Sequence, residues 1–197
     1  MGNRQPFAIL APLLLTCAAF GIGGSLLAQT QSGGHKFVAG DSPSPLAGPY
    51  RAWLDEDVSW IISPDERSAY AALQTNPQRL QFINSFWDRR NPDPSGSENK
   101  FKEEHYRRLA YANQHFASVR PGWMSGRGHV YIVCGKPDSI DAHPSGAGGE
   151  ATSYEVWHYN AARSAASPQA AAQAQSIDFK FIDTCHCGDY KLSSPLP

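Results

Sequence analysis

The chain has 197 residues, of which 41% are hydrophobic and 18% are charged, and its formal net charge is −1. This supplies enough apolar material for the core of one domain. The charges are too evenly balanced for the basic face of a nucleic-acid-binding protein or for a polybasic membrane patch. We therefore expect one globular domain that binds no nucleic acid and that meets a membrane only through its N-terminus, if at all.

The first 28 residues have the pattern of a secretory signal peptide. Arg4 precedes an uncharged, mostly apolar run that ends at Ala28, and polar residues follow at once. A positive start, an apolar centre and a small residue before a polar stretch are typical of an export signal. The run is also long enough for an uncleaved anchor, and Cys17 lies in a weak lipoprotein-like context. We expect an exported, periplasmic or extracellular protein, with a membrane-anchored or lipidated form as the alternative.

Two further divisions follow from composition. Residues 29–49 are rich in Gly, Ser and Pro and carry few side chains that could hold a core. Such a composition is typical of a flexible linker. From Tyr50 onward aromatic and aliphatic residues become frequent, which predicts a single domain over residues 50–197.

The first half of this domain is predicted to be helical. After a short extended segment at 58–62, Ser63 can cap a helix whose first position is Pro64, and Glu66 can complete a capping box. Asn-Pro at 76–77 starts a second helix in the same way. Apolar residues at three- and four-residue steps support the second and third helices. The predicted helices cover about residues 63–74, 76–90 and 97–118.

The second half is predicted to form strands. Residues 129–134 are a β-branched and aromatic run that ends at Gly135, and two later segments alternate between apolar and polar side chains. The expected strands are 129–134, 154–159, 177–182 and a short one within 189–192, with a hairpin loop over 161–176. Helices followed by strands indicate an α+β fold, with an N-terminal segment of about three helices packed on a C-terminal antiparallel meander of three to four strands.

A set of ordered motifs covers most of the domain. Gly122-Trp123-Met124-Ser125-Gly126 is followed by Gly135-Lys136-Pro137-Asp138, and upstream stand Trp53-Leu54-Asp55-Glu56-Asp57 and Phe86-Trp87-Asp88-Arg89-Arg90. Together they resemble the GWxTD-domain family of exported bacterial proteins. The resemblance implies an exported domain of no established activity and supplies no catalytic residues. The Thr-Asp of the family motif is Ser125-Gly126 in this chain, so the acidic residue of the motif is missing.

Three cysteines remain once the signal segment is set aside. Cys185 and Cys187 point to the same side of an extended backbone, and Cys134 ends a predicted neighbouring strand. An oxidising compartment permits a disulfide. Three interpretations stay open: a Cys134–Cys185 bridge, unpaired thiols, or a metal or redox site at Cys185 and Cys187 with a histidine drawn from His186, His143 and His129.

Residues on predicted loops are the candidates for a ligand or partner site. Trp123 offers a flat apolar face, Arg127 can hold an anion, and Asp138 follows a strand. A hydrolase that uses Asp138, Asp141 or His143 is the enzymatic alternative. The sequence contains no familiar catalytic or cofactor-binding motif. We therefore expect a non-enzymatic interaction or structural module of the cell envelope, with an envelope protein as its partner and no cofactor.

Overall fold

The computed structural model of the chain describes residues 35–37, 40, 42–146, 151–160 and 176–193. The predicted signal peptide (1–28) falls outside these ranges, as does the predicted hairpin loop except for Ser176. The helices are α1 (Gly48–Ala52), α2 (Pro64–Ala71), α3 (Asn76–Asp88), α4 (Lys100–His115) and α5 (Gly126–Cys134), with a π-helical turn at Trp53–Asp57 and a 3₁₀ turn at Gly122–Met124. The strands are β1 (Ser139–His143), β2 (Tyr154–Asn160), β3 (Ser176–Ile182) and β4 (Lys191–Leu192).

The three predicted helices are confirmed as α2, α3 and α4. The backbone N–H of Glu66 donates to Ser63 Oγ, and the N–H of Ser63 donates to the Glu66 carboxylate, each over 3.1 Å. Thr75 and Gln78 form the same capping box at the start of α3. These side chains bond backbone groups that a helix terminus leaves without a partner, which fixes where each helix begins. The preceding segment 58–62 is a series of turns and not extended, because it continues the π-helical turn.

The predicted strand 129–134 is wrong, since these residues form most of helix α5. Ser125 caps this helix, because its hydroxyl accepts a hydrogen bond from the N–H of Gly128 at 3.0 Å. Gly135 ends it with a φ of 83°, a conformation that favours glycine. The β-branched run at 130–133 has a preference for strands, but these two signals and burial against the other helices outweigh it.

The sheet is an antiparallel meander in the order β1-β2-β3-β4. The predicted strands 154–159 and 177–182 are confirmed as β2 and β3, and β4 is a two-residue strand within the predicted 189–192. Strand β1 takes the first place in the sheet, which had been assigned to 129–134. Helices therefore precede an antiparallel sheet, and the predicted α+β class is confirmed.

Aromatic side chains fill the core and join its two halves. Trp53, Tyr70 and Phe86 are fully buried among the helices. On the inner face of the sheet, Trp157, Tyr159, Phe179 and Phe181 are buried. The ring of Phe116 at the end of α4 lies 5.4 Å from the ring of Trp157 on β2, so the core runs from the helices into the sheet without a break.

Described residues of the predicted linker contact the helical half. The Phe37 ring lies 5.0 Å from that of Tyr50. The guanidinium of Arg79, a residue only 2% exposed, donates to the backbone carbonyls of Ser44 at 2.8 Å and Leu73 at 2.7 Å. Ordered packing therefore begins before Tyr50. None of the helices in the described part of the chain has both the length and the hydrophobicity needed to cross a bilayer.

Candidate binding site

A cavity of about 430 Å³ opens where helices α4 and α5 meet strands β1 and β2. We call it the junction pocket. Four aromatic side chains line it: Tyr111, Phe116, Tyr131 and Trp157. The aliphatic side chain of Ile140 on β1 also lines it and is 48% exposed. The pocket is largely apolar, concave and open to solvent, as binding sites for apolar groups usually are.

The aromatic wall is preformed by packing between the two helices. Tyr111 on α4 and Tyr131 on α5 stack with ring centroids 4.5 Å apart and planes within 12° of parallel. Phe116 meets Tyr131 at 5.7 Å, and Tyr131 meets Trp157 edge to face at 6.5 Å. Because each ring is held by another ring, the wall needs little rearrangement to receive a ligand.

The charged residues of the pocket are balanced. Arg127 and Lys136 contribute two positive charges, and Asp138 and Glu155 contribute two negative charges. Arg127 Nη1 lies 3.0 Å from Glu155 Oε1, and the guanidinium also lies 4.1 Å from the centre of the Tyr190 ring. Glu155 Oε2 in turn accepts a hydrogen bond from the Trp157 indole at 2.9 Å. An ionic ligand would have to compete with these internal partners, so the site favours an uncharged one.

The turn 135–138 forms the rim between α5 and β1. Tyr159 Oη donates to the carbonyl of Gly135 at 2.8 Å, and Asp138 Oδ2 accepts from the N–H of Asn160 at 2.7 Å. The carboxylate of Asp138 therefore ties the turn to strand β2. This agrees with the turn-forming character of Gly-x-Pro-Asp.

The junction pocket brings together two of the three predicted contact residues, Arg127 and Asp138. Trp123 lies in a different cluster, where its carbonyl accepts from the Trp60 indole at 2.9 Å and Trp60 stacks on His129 at 3.7 Å. Sequence reasoning missed Tyr111 and Tyr131. Tyr131 lies in the segment 129–134, for which the sequence predicts a strand, and Tyr111 is on the solvent side of α4 by periodicity alone.

The proposed hydrolase residues have separate partners. Asp141 Oδ2 lies 3.1 Å from Nε2 of His158, whereas the ring of His143 stacks on Tyr154 at 4.2 Å. Nδ1 of His158 lies 2.8 Å from Asp178 Oδ1, so the imidazole sits between two carboxylates on the outer face of the sheet. Hydrogen bonds to Asp178 and then to Asp141 raise the pKa of His158. This arrangement stabilises an imidazolium.

The predicted Cys134–Cys185 bridge is not present. Cys185 is bonded to Cys187, with their Cα atoms 5.2 Å apart, and Cys134 is a free, half-buried thiol. The prediction failed because it placed Cys134 at the end of a strand beside β3, whereas Cys134 ends helix α5. The carboxylate of Asp183 lies with the two sulfurs in a group whose ligand atoms are within 4.8 Å of one another. In the disulfide the sulfurs are not thiolates, the form that binds metal.

Fold and chain order place the protein among small α+β domains in which helices precede an antiparallel meander. The family model of the GWxTD domain matches residues 30–184. The chain therefore belongs to the GWxTD domain family, and the resemblance seen in its motifs is confirmed. Searches of curated proteins and of solved structures found no match. Export and bacterial origin, which the resemblance implied, remain predictions.

The structure gives the family motif a structural role in this chain. A Cβ on Gly122 would lie 1.9 Å from the carbonyl oxygen of Ala112, so only glycine allows this approach to α4. Ser125, which replaces the Thr of the motif, donates to the Gly122 carbonyl at 2.7 Å and caps α5. A Cβ on Gly126, in the place of the Asp, would lie 2.8 Å from the backbone N of Leu192. The motif thus joins α4, α5 and β4.

Proposed function

We propose that this GWxTD domain is a non-enzymatic interaction module of the cell envelope that binds an extended segment of a partner protein at the junction pocket. The observation that carries the proposal is the position of the aromatic pocket directly beside the exposed edge strand β1. An edge strand supplies backbone hydrogen-bonding groups, and the pocket supplies a place for a side chain.

Strand β1 has the exposure expected of a docking edge. Among the described strands it pairs with β2 alone, and all five of its residues are exposed. An added strand would extend the sheet and place every second side chain on its inner face. Ile140 faces that side, since it pairs with Trp157 in the register of β1 and β2 and both residues line the pocket.

The chemistry of the pocket selects an uncharged aliphatic or aromatic side chain. Four aromatic rings line it, and the guanidinium of Arg127 is already paired with Glu155. Complete burial of one large apolar side chain contributes about 1.5–3 kcal/mol. One anchor of this kind together with backbone hydrogen bonds is the usual way in which an extended peptide is recognised.

Two observations support the envelope as the location of this interaction. The apolar N-terminal run has the features of an export signal, and the Cys185–Cys187 disulfide suits an oxidising compartment. An anchored or lipidated N-terminus would place the same domain at a membrane surface without changing the binding site.

Binding measurements on a matched pair of variants test the proposal. The partner is first isolated from envelope extract with the wild-type protein, and its affinity is then measured by calorimetry. Ile140→Lys puts a charge beside the pocket and should weaken binding by at least ~10-fold, which is the loss of about 1.4 kcal/mol. Ile177→Lys is the control, because Ile177 is 39% exposed on the same face of the sheet but does not line the pocket. Equal affinities for the two variants would refute the assignment.

A further inference from the structure

The Cys185–Cys187 disulfide closes one of the smallest rings that two cysteines can form. A single residue, His186, separates them, and both cysteines are exposed in the loop between β3 and β4. The stabilisation that a disulfide gives a fold grows with the length of chain that it closes. This bond connects neighbours within one loop and joins no separate elements, so it contributes little as a structural staple.

The backbone of the loop is in an unfavourable conformation where the bond closes. His186 has a φ of 53°, and it is the only residue other than glycine with a positive φ in the described ranges. Non-glycine residues in this region are strained, and such strain persists only where other contacts maintain it. Exposed disulfides in strained settings are easier to reduce than structural ones.

A buried carboxylate holds the loop in place independently of the bond. Asp183 is 5% exposed, and it accepts hydrogen bonds from the N–H groups of Cys187 at 3.1 Å and Gly188 at 2.9 Å. Its Oδ1 also lies 3.3 Å from Sγ of Cys185. After reduction, the Cys185 S–H has this oxygen as an acceptor within reach. The same fold can therefore accept both redox states.

We propose that Cys185 and Cys187 form a redox-active pair that exchanges electrons with the thiols of a protein or of a small molecule. The thiolate of the reductant attacks Sγ of Cys187, since the Cys185 sulfur that this attack releases can take a proton and donate it to Asp183 Oδ1, 3.3 Å away. A mixed disulfide forms at Cys187, the Cys185–Cys187 bond breaks, and its electron pair goes to the Cys185 sulfur. That sulfur takes a proton from solvent and donates the resulting S–H to Asp183.

A second thiolate completes the reaction. It attacks the reductant's sulfur in the mixed disulfide, and Cys187 leaves as a thiolate that is protonated by solvent. The protein has gained two electrons and two protons, and two thiols have been oxidised to one disulfide. The reverse sequence oxidises the pair again. This activity is independent of partner binding at the junction pocket, because neither Cys185 nor Cys187 lines that pocket.

A redox titration of the purified protein tests the activity without altering the pair. Cys134→Ser removes the third thiol, and the protein is equilibrated in glutathione buffers of graded composition, quenched with acid, alkylated and weighed. We expect the reduced form to be heavier than the oxidised form by two alkyl groups. The midpoint of this transition should fall within the range of redox potentials that the glutathione buffers cover. A pair that stays oxidised across that range while the protein remains folded would be a structural disulfide. Two free thiols in the absence of reductant would also overturn the proposal.

The effect of Asp183 on Cys185 is tested with single-cysteine variants that react with oxidised glutathione. In the Cys134→Ser background, Cys185→Ser should form a mixed disulfide at Cys187 and release one reduced glutathione. In the matched Cys187→Ser variant, Cys185 should form the mixed disulfide with glutathione several-fold more slowly than Cys187 does. Asp183→Asn removes the charge and keeps one acceptor oxygen, so one of the two loop N–H groups loses its partner, and the variant should bring the rates at Cys185 and Cys187 together. Equal rates with Asp183 intact would contradict the mechanism.

Discussion

The segments on either side of helix α5 differ in burial: the one before it is packed into the fold, and the one after it is exposed. Before the helix, Gly122 and Ser125 are buried and bonded to the backbone of their neighbours. After it, every residue of strand β1 is exposed and the junction pocket opens beside it. The family motif therefore identifies a joint that the fold requires. The surface that we propose for a partner lies at the other end of the helix.

The strongest test of the joint is Gly122→Ala. A methyl group there would overlap the backbone carbonyl of Ala112, and the backbone of α4 cannot move aside as a flexible side chain could. We expect a loss of about 3 kcal/mol or more in the free energy of unfolding, measured by urea denaturation. Gly40→Ala is the control, since nothing lies within 4 Å of its added Cβ. If both variants matched wild type, the joint would be looser than the structure shows.

The ion pairs that fasten α2 to the end of α3 should have the next largest effect. Hydrogen bonds from Arg90, with help from Ser63 and Arg89, lower the pKa of Glu66 to about 2 from 4.5. A carboxyl group with a lowered pKa stabilises the fold above pH 4.5 and loses that effect as the pH falls toward 2. We expect Glu66→Gln to cost ~2 kcal/mol at neutral pH and to flatten the acid limb of the stability curve. An unchanged acid limb would contradict this assignment.

On the outer face of the sheet, His158 is expected to make a smaller contribution to the pH dependence of the free energy of unfolding. Because its pKa is raised above 6.5, its ion pairs stabilise the fold below pH 6.5 and the effect is lost as the pH rises through the folded-state pKa. An NMR titration should show this raised pKa. Asp178→Asn should lower it more than Asp141→Asn, since the hydrogen bond to Asp178 is the larger cause. The opposite ranking would show that the three strands pair differently.

The smallest change in stability is expected at the exposed edge. Ile140→Lys should alter the free energy of unfolding by no more than ~0.5 kcal/mol, because the side chain is half exposed and lies on an edge strand. Urea denaturation of this variant beside Gly122→Ala would give the contrast directly. A large loss at Ile140 would mean that β1 is part of the core and unsuited to receive a partner.

Local signals made the helical half predictable. Ser63, Pro64 and Glu66 specify the start of α2 within four residues, and the alternation in β2 and β3 specifies which face is buried. The segment 129–134 could not be assigned by composition, because its strand preference conflicts with the cap at Ser125 and the terminator at Gly135. Ser125 and Gly135 mark the start and the end of a helix, and they outweigh the strand preference of the residues between them.

The sites depend more on long-range geometry. Arg127 and Asp138 were candidates from sequence, but their meeting in one pocket depends on the turn of the chain after α5. Tyr111 gave no local signal, because its stacking on Tyr131 brings together two helices. The Cys185–Cys187 bond likewise depends on the path of the loop that Asp183 holds.

Site-specific photo-crosslinking measures the central claim most directly. A photoreactive amino acid replaces Ile140 in one variant and Ile177 in the other, and both are irradiated in intact cells. We predict one stoichiometric adduct at position 140, none at 177, and a crosslinked peptide that carries an uncharged aliphatic or aromatic residue. Adducts of equal yield at the two positions, or none at 140, would show that the junction pocket is not where this domain meets its partner.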